Sequence, residues 1–194
     1  MEQIKRNFYE IKTPVELFEF MVRNIEYGYL GKNGKVYHFD EENFFVSWEE
    51  EYILESASDI LETTVGTCWD QVELQRYWFE ANGYEVKTIY EMVALDYNNE
   101  YPTHSFLIFK DKDNCFCWFE TSDSTNCGIH TFSTLEELLA YQYARYVDRL
   151  KTFSISKQEL DAIIIREFEK PASHISAREY IDLVVCSKEI IIDK

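Results

Sequence analysis

No stretch of this 194-residue chain approaches the roughly 20 consecutive apolar residues that a membrane-spanning helix needs. Its first residues, MEQIKRNFYEIK, lack the apolar core of a secretory signal. Together these two absences predict a cytoplasmic protein. Basic residues are scarce, 19 Lys and Arg against 36 Asp and Glu, for a net charge of −17. Phosphate backbones and anionic membranes would both be repelled, so neither nucleic acid nor a membrane is the expected partner. Repeats, low-complexity tracts and Pro-rich linkers are also missing, which predicts a single domain over residues 1–194. The five cysteines are odd in number and resemble no disulfide framework. Cys115, Cys117 and Cys127 would need a fourth ligand from His130 or farther away to hold zinc. Alternation in CFCWFE instead places the CxC sulfurs on one strand face, which suits ordinary packing. No metal and no cofactor are expected.

What the chain does have is material for a core: 46% hydrophobic and 16% aromatic residues. A helix is predicted over 14–25, with Thr13 as N-cap, Pro14 in the first turn and Glu16 completing a capping box. The glycines in YGYLGKNGKVYHF mark a loop or hairpin. Trp48, Tyr52, Leu54, Ile60 and Leu61 suggest a second helix over 48–61, with Glu49, Glu50 and Glu51 on a solvated face. The β-branched run and glycine of ETTVGTC interrupt it. CWDQVELQRYWFEANG reads as a new helix with an apolar stripe of Val72, Leu74, Tyr77, Trp78 and Ala81, stopped at Gly83. YEVKTIYEMVALDY, THSFLIFKD and CFCWFETS then read as strands, the last two joined by the short polar loop KDKDN. STLEELLAYQYARYVDRL is a helix, LDAIIIREFE a further strand, and SAREYIDLVV a last helix with capping-box spacing at Ser176 and Glu179. Helices followed by an antiparallel sheet give an α+β class.

Three positions in this framework carry chemical potential. Cys68 sits where an irregular loop becomes a helix, and the unpaired N–H groups of a helix start favour a thiolate and can hold an oxyanion. Gly66 permits the close approach or unusual torsions such a turn needs. His104 opens an apolar strand, placed to face that helix start as a general base. If KDKDN makes a hairpin, Glu120 at the end of the next strand neighbours His104 and can orient it, with Asp123 as the alternative acid. Trp48 and Gln71 are candidates for a second oxyanion donor beside the Cys68 N–H. His38 and His130 read as surface residues, His174 as a residue near the cap of the last helix, and the run Tyr77, Trp78, Phe79 as core.

The order of Cys at a helix start, His at a strand start and acid at the end of the next strand resembles the transglutaminase-like superfamily. GTCWDQVELQRYWFEANGYEVK is similar to its nucleophile segment, HSFLIF to its histidine segment and FCWFET to its acid segment, over roughly residues 53–123. The chain differs in having Glu120–Thr121 where the family typically has Asp–Pro, and Ser105 where an aromatic commonly follows the histidine. The resemblance implies a papain-like fold, with a core at about 48–150 between terminal extensions. It also implies acyl chemistry on a peptide or protein amide through a thioester: hydrolysis, deamidation or transfer to an amine. Cys68, His104 and Glu120 would be nucleophile, base and orienter. The altered acid position leaves a second expectation, a catalytically inactive binding or scaffolding module. A third is a redox or metal protein using Cys115, Cys117 and Cys127. Neither the exact substrate nor the oligomeric state follows from these residues.

Overall fold

A computed structural model describes residues 2–42, 44–96 and 101–192 and shows an α+β architecture. In chain order the elements are α1 (Glu2–Glu10), α2 (Pro14–Asn24), β1 (Gly28–Leu30), β2 (Val36–His38), α3 (Phe44–Glu51), α4 (Ala57–Thr63) and α5 (Cys68–Ala81). There follow β3 (Val86–Val93), β4 (His104–Lys110), β5 (Phe116–Glu120), β6 (Gly128–Phe132), α6 (Leu135–Leu150), α7 (Lys157–Asp161), β7 (Ile163–Glu167), α8 (Ala177–Val185) and β8 (Lys188–Glu189). Strands β3 to β8 form one antiparallel sheet in the order β6-β5-β4-β3-β7-β8, and β1 and β2 form a separate hairpin. No helix among the described residues is long and apolar enough to cross a membrane.

The sheet is packed on both faces, and strand alternation sorts the side chains. Leu107, Phe109, Cys117 and Phe119 meet Leu74, Trp78 and Phe79 of α5, with α1, α2 and α4 outside them. Phe106, Ile108 and Trp118 meet Leu138 and Leu139 of α6 on the other face. An aromatic cluster of Tyr29, Tyr52, Trp69, Tyr90 and Tyr180 joins the β1–β2 hairpin and α8 to the start of α5. Trp69 stacks on Tyr180 with ring centroids 4.3 Å apart. Each large side chain buried in this way contributes about 1.5–3 kcal/mol of transfer free energy.

The expected N-terminal helix is present with its Thr13–Glu16 capping box. The glycine-rich segment is a hairpin. The helix expected over 48–61 is instead two helices, α3 and α4. Backbone pairing separates them: Tyr52 bridges Gly31, Ile53 bridges Ser176, and the Leu54 N–H donates to the Ile175 carbonyl. Ser56 then starts α4 with its own capping box to Asp59. The strand expected over 84–97 is β3; Tyr97 lies outside the described residues. The α5 helix departs from its expected single stripe. Every residue from Cys68 to Arg76 is buried, because the helix is wedged between the sheet, α4 and the aromatic cluster. Its polar residues therefore need internal partners. Glu73 and Arg76 pair at 3.2 Å, and Arg76 also donates to Thr88 Oγ1 at 2.7 Å.

Candidate functional site

The start of α5 is set by Asp70. Its Oδ2 accepts from the Thr67 backbone N–H at 2.9 Å and from the Thr67 hydroxyl at 2.7 Å. Its Oδ1 accepts from the Tyr52 hydroxyl and the Glu55 backbone N–H, both at 2.9 Å. These bonds fix Thr67 as the N-cap and leave Cys68 as the first helical residue, with its N–H outside the intrahelical ladder. Gly66 serves close approach, because a Cβ there would lie 3.1 Å from Asp70 Cβ and 3.3 Å from Gln71 Cγ.

Burial raises Glu55, helped by the adjacent Asp70 charge, to about 9, and burial raises Asp70 to about 6. Between pH 4.5 and 9 folded Glu55 holds a proton that the unfolded chain releases. Its effect is therefore a loss of stability as pH rises through that window. Glu55→Gln replaces it with a neutral side chain that still accepts from the Thr63 hydroxyl, now 2.7 Å from Glu55 Oε2. The variant should melt with the wild type near pH 4.5 and above it at pH 8, by about 2 kcal/mol or roughly 4–8 °C. Calorimetry at the two pH values checks this, and an unchanged or lower Tm at pH 8 would contradict it.

The His104 and Glu120 side chains meet across the β4–β5 hairpin. The loop closes tightly: Asp111 N–H donates to the Cys115 carbonyl, and Asn114 adopts a left-handed φ of 61°. Leu107 pairs with Phe119, so the beginning of β4 lies beside the end of β5. His104 Nε2–H donates to Glu120 Oε2 at 2.7 Å, with both residues buried. Glu120 Oε1 accepts from the Ser122 N–H, the Ser122 hydroxyl and the Asp123 N–H at 2.7–2.9 Å. With Nε2 committed to the carboxylate, Nδ1 is the ring nitrogen that remains, and Cys68 lies near enough to bear on the imidazole electrostatically. Burial would lower the imidazole, but the Glu120 charge and the Cys68 contact outweigh it and hold His104 well above its ordinary value. Burial would likewise raise Glu120, yet the charge and hydrogen bond of His104 keep it low.

A side-chain relay holds the two halves in register. Thr121, next to Glu120, donates its hydroxyl to Gln71 Oε1 at 2.7 Å and accepts from Gln75 Nε2 at 3.0 Å. Gln71 Nε2 donates to the Gly66 carbonyl at 2.9 Å. The strand bearing the acid is thus tied to the helix bearing the thiol and to the loop before it. No protein-family model and no curated protein matches the chain.

The structure joins His104 to Glu120 by a hydrogen bond and places Cys68 within electrostatic reach of His104. The carboxylate on the imidazole is Glu120; Asp123 is occupied by Asn126 Nδ2 and the Thr125 N–H. Neither expected oxyanion donor is placed for that task. Gln71 is spent on Gly66 and Thr121, and Trp48 packs among Tyr29, Tyr52 and Trp69. Tyr27 is the residue the sequence reading missed. Its hydroxyl donates to Cys68 Sγ at 4.0 Å. Nothing in its local pattern signals this, because it is brought over by a parallel bridge between Glu26 and Val65.

The remaining candidates lie elsewhere. His130 is half-buried on β6, stacked on Trp118 at 4.8 Å, with Nε2 2.7 Å from the Asn126 carbonyl. His174 pairs with Asp59 at 2.8 Å, and His38 lies 3.3 Å from Glu26. Tyr77, in the run read as core, is 38% exposed, while Trp78 and Phe79 are buried. Cys117 is buried against Thr131 and Cys127 is exposed, and no group of three or more His, Cys, Asp or Glu is poised for a metal among the described residues.

Proposed function

We propose that this chain is a papain- or transglutaminase-like thiol enzyme that performs acyl chemistry on a peptide or protein amide. The observation that carries the reading is the buried 2.7 Å bond from His104 to Glu120, on an imidazole within electrostatic reach of a cysteine at a helix start. His104 takes the thiol proton and the Cys68 thiolate attacks the amide carbon. The oxyanion is held by the Cys68 N–H at the start of α5. The C–N bond then breaks as the imidazolium hands its proton to the leaving amine. Water or an amine, deprotonated by His104, attacks the thioester and regenerates the thiol. Glu120 keeps the ring in the tautomer that this cycle needs.

The test is alkylation by iodoacetamide at pH 6, followed by mass spectrometry. Cys68 should be modified at least about tenfold faster than free cysteine. Cys68→Ser should remove the adduct, and His104→Ala should remove the rate advantage. Reaction at the rate of free cysteine would overturn the enzyme reading. It would then favour a binding module, for which the covered sulfur, 5% exposed as a residue beneath Tyr27, is the supporting observation.

A further inference from the structure

A small pocket of about 10 Å³ lies beside His104 on the α6 side of the sheet, lined among others by Glu91, Asp123, Asn126, Gln142, Arg145 and Arg149. Two cations on successive turns of one helix are conspicuous in a chain with 17 more acidic than basic residues. Arg6, Arg76, Arg166 and Arg178 are each ion-paired; Arg23, Arg145 and Arg149 have no ion-pair partner among the described residues, and of these only Arg145 and Arg149 line the pocket. Arg145 Nε is buried without any hydrogen-bond partner. The Arg149 charge bears on both Asp123 and Glu91, but the hydrogen bonds of those carboxylates go elsewhere. Asp123 is bonded to Asn126 and Thr125, and Glu91 is bonded through Oε1 to Gln142 Nε2 at 2.8 Å.

Glu91 adds a second unpartnered polar group to the same pocket. It is 1% exposed, it stands directly opposite His104 in the β3–β4 register, and its Oε2 has no partner. Burial raises it to about 8, so at neutral pH it mainly carries a proton and offers an O–H donor that nothing accepts. Unpartnered cationic N–H groups and a carboxylic O–H call for the same thing, an oxygen acceptor bearing negative charge. The field of Arg149 also reaches Tyr27, which lies on Cys68, so the arginines border the reacting groups.

We infer that Arg145 and Arg149 form an anion subsite that selects amide substrates carrying a carboxylate within a few bonds of the carbon attacked by Cys68. The inference rests on the thiol-enzyme reading and supplies its substrate class, acidic amides. A planar carboxylate matches the guanidinium fork, and a partly desolvated site strengthens the contact.

Iodoacetate and iodoacetamide test it, because they deliver the same carbon to the same sulfur with and without a negative charge. In wild type, iodoacetate should react at least as fast as iodoacetamide despite the acidic surface. Arg149→Gln should lower the iodoacetate-to-iodoacetamide rate ratio about tenfold, as expected for loss of a charge-assisted bond. Arg149→Glu should lower it further, and Arg145→Gln should act in the same direction. Arg6→Gln, an equal change in net charge on α1, should leave the ratio unaltered. Arg149 is exposed, so its variants should fold even if Arg145→Gln does not. Rapid iodoacetamide labelling with a ratio indifferent to Arg149 overturns the subsite and leaves the enzyme standing. Slow labelling by both reagents overturns the enzyme and the subsite with it.

Discussion

His104→Ala should lower turnover of an amide substrate by about 10²–10⁴-fold, the usual contribution of a positioned acid–base group. The imidazole is asked to do two things, to accept the thiol proton and to deliver one to the leaving amine, and it is the group bonded to the buried Glu120 carboxylate that also feels Cys68. Amine release measured for wild type and variant checks this, and activity within threefold of wild type would exclude His104 from the reaction. The variant should still fold, because Glu120 Oε1 keeps three donors from Ser122 and Asp123. It should be less stable, with a characteristic pH dependence. The raised imidazole contributes stability fully below about pH 6.5 and loses it as pH climbs through the folded value; the lowered Glu120 contributes above about pH 4.3. The Tm gap between wild type and variant should therefore be widest between those two values and narrow above.

The second large effect is structural. Asp70→Ala should destabilise the fold by about 3 kcal/mol, a fall of roughly 6–12 °C in Tm. Four buried donors converge on that carboxylate: the Thr67 N–H and hydroxyl, the Tyr52 hydroxyl and the Glu55 N–H. Alanine leaves all four without their acceptor. The relief of crowding beside Glu55 offsets only part of this, since Asp70 is itself raised to about 6 by burial. Because those bonds define where α5 begins, alkylation of Cys68 should slow in the same variant. A denaturant midpoint within about 0.5 kcal/mol of wild type would show that the helix start is held by something else.

The parts of the site that were legible in the sequence are those governed by short-range rules. A polar five-residue loop between two alternating strands sets a hairpin register, and that register alone puts Glu120 beside His104. A β-branched run with a glycine, followed by an apolar stripe at helical spacing, places Cys68 at a helix start. The parts that were not legible depend on distant partners. α5 looks amphipathic because its buried Glu73, Gln75 and Arg76 are polar, and only their partners on other elements reveal that the helix is enclosed. The break between α3 and α4 comes from pairing with Gly31 and Ser176, neither of which a local window contains. β6 is an edge strand of five residues with no buried position, so it carries no alternation to read. α7, five residues long, is likewise too short to show a period.

Tyr27 belongs to a segment ahead of the stretch that resembles a transglutaminase-like core. Glu26 beside it holds residues 64–66 by two backbone bonds, accepting the Gly66 N–H and donating to the Thr64 carbonyl. A single short passage of chain thus both roofs the sulfur and braces the approach to it, without belonging to the trio that would react. Trimming the protein to its familiar-looking middle would strip away roof and brace together. Divergence in that passage, by contrast, can alter which molecules reach the thiol while the reacting trio stays untouched.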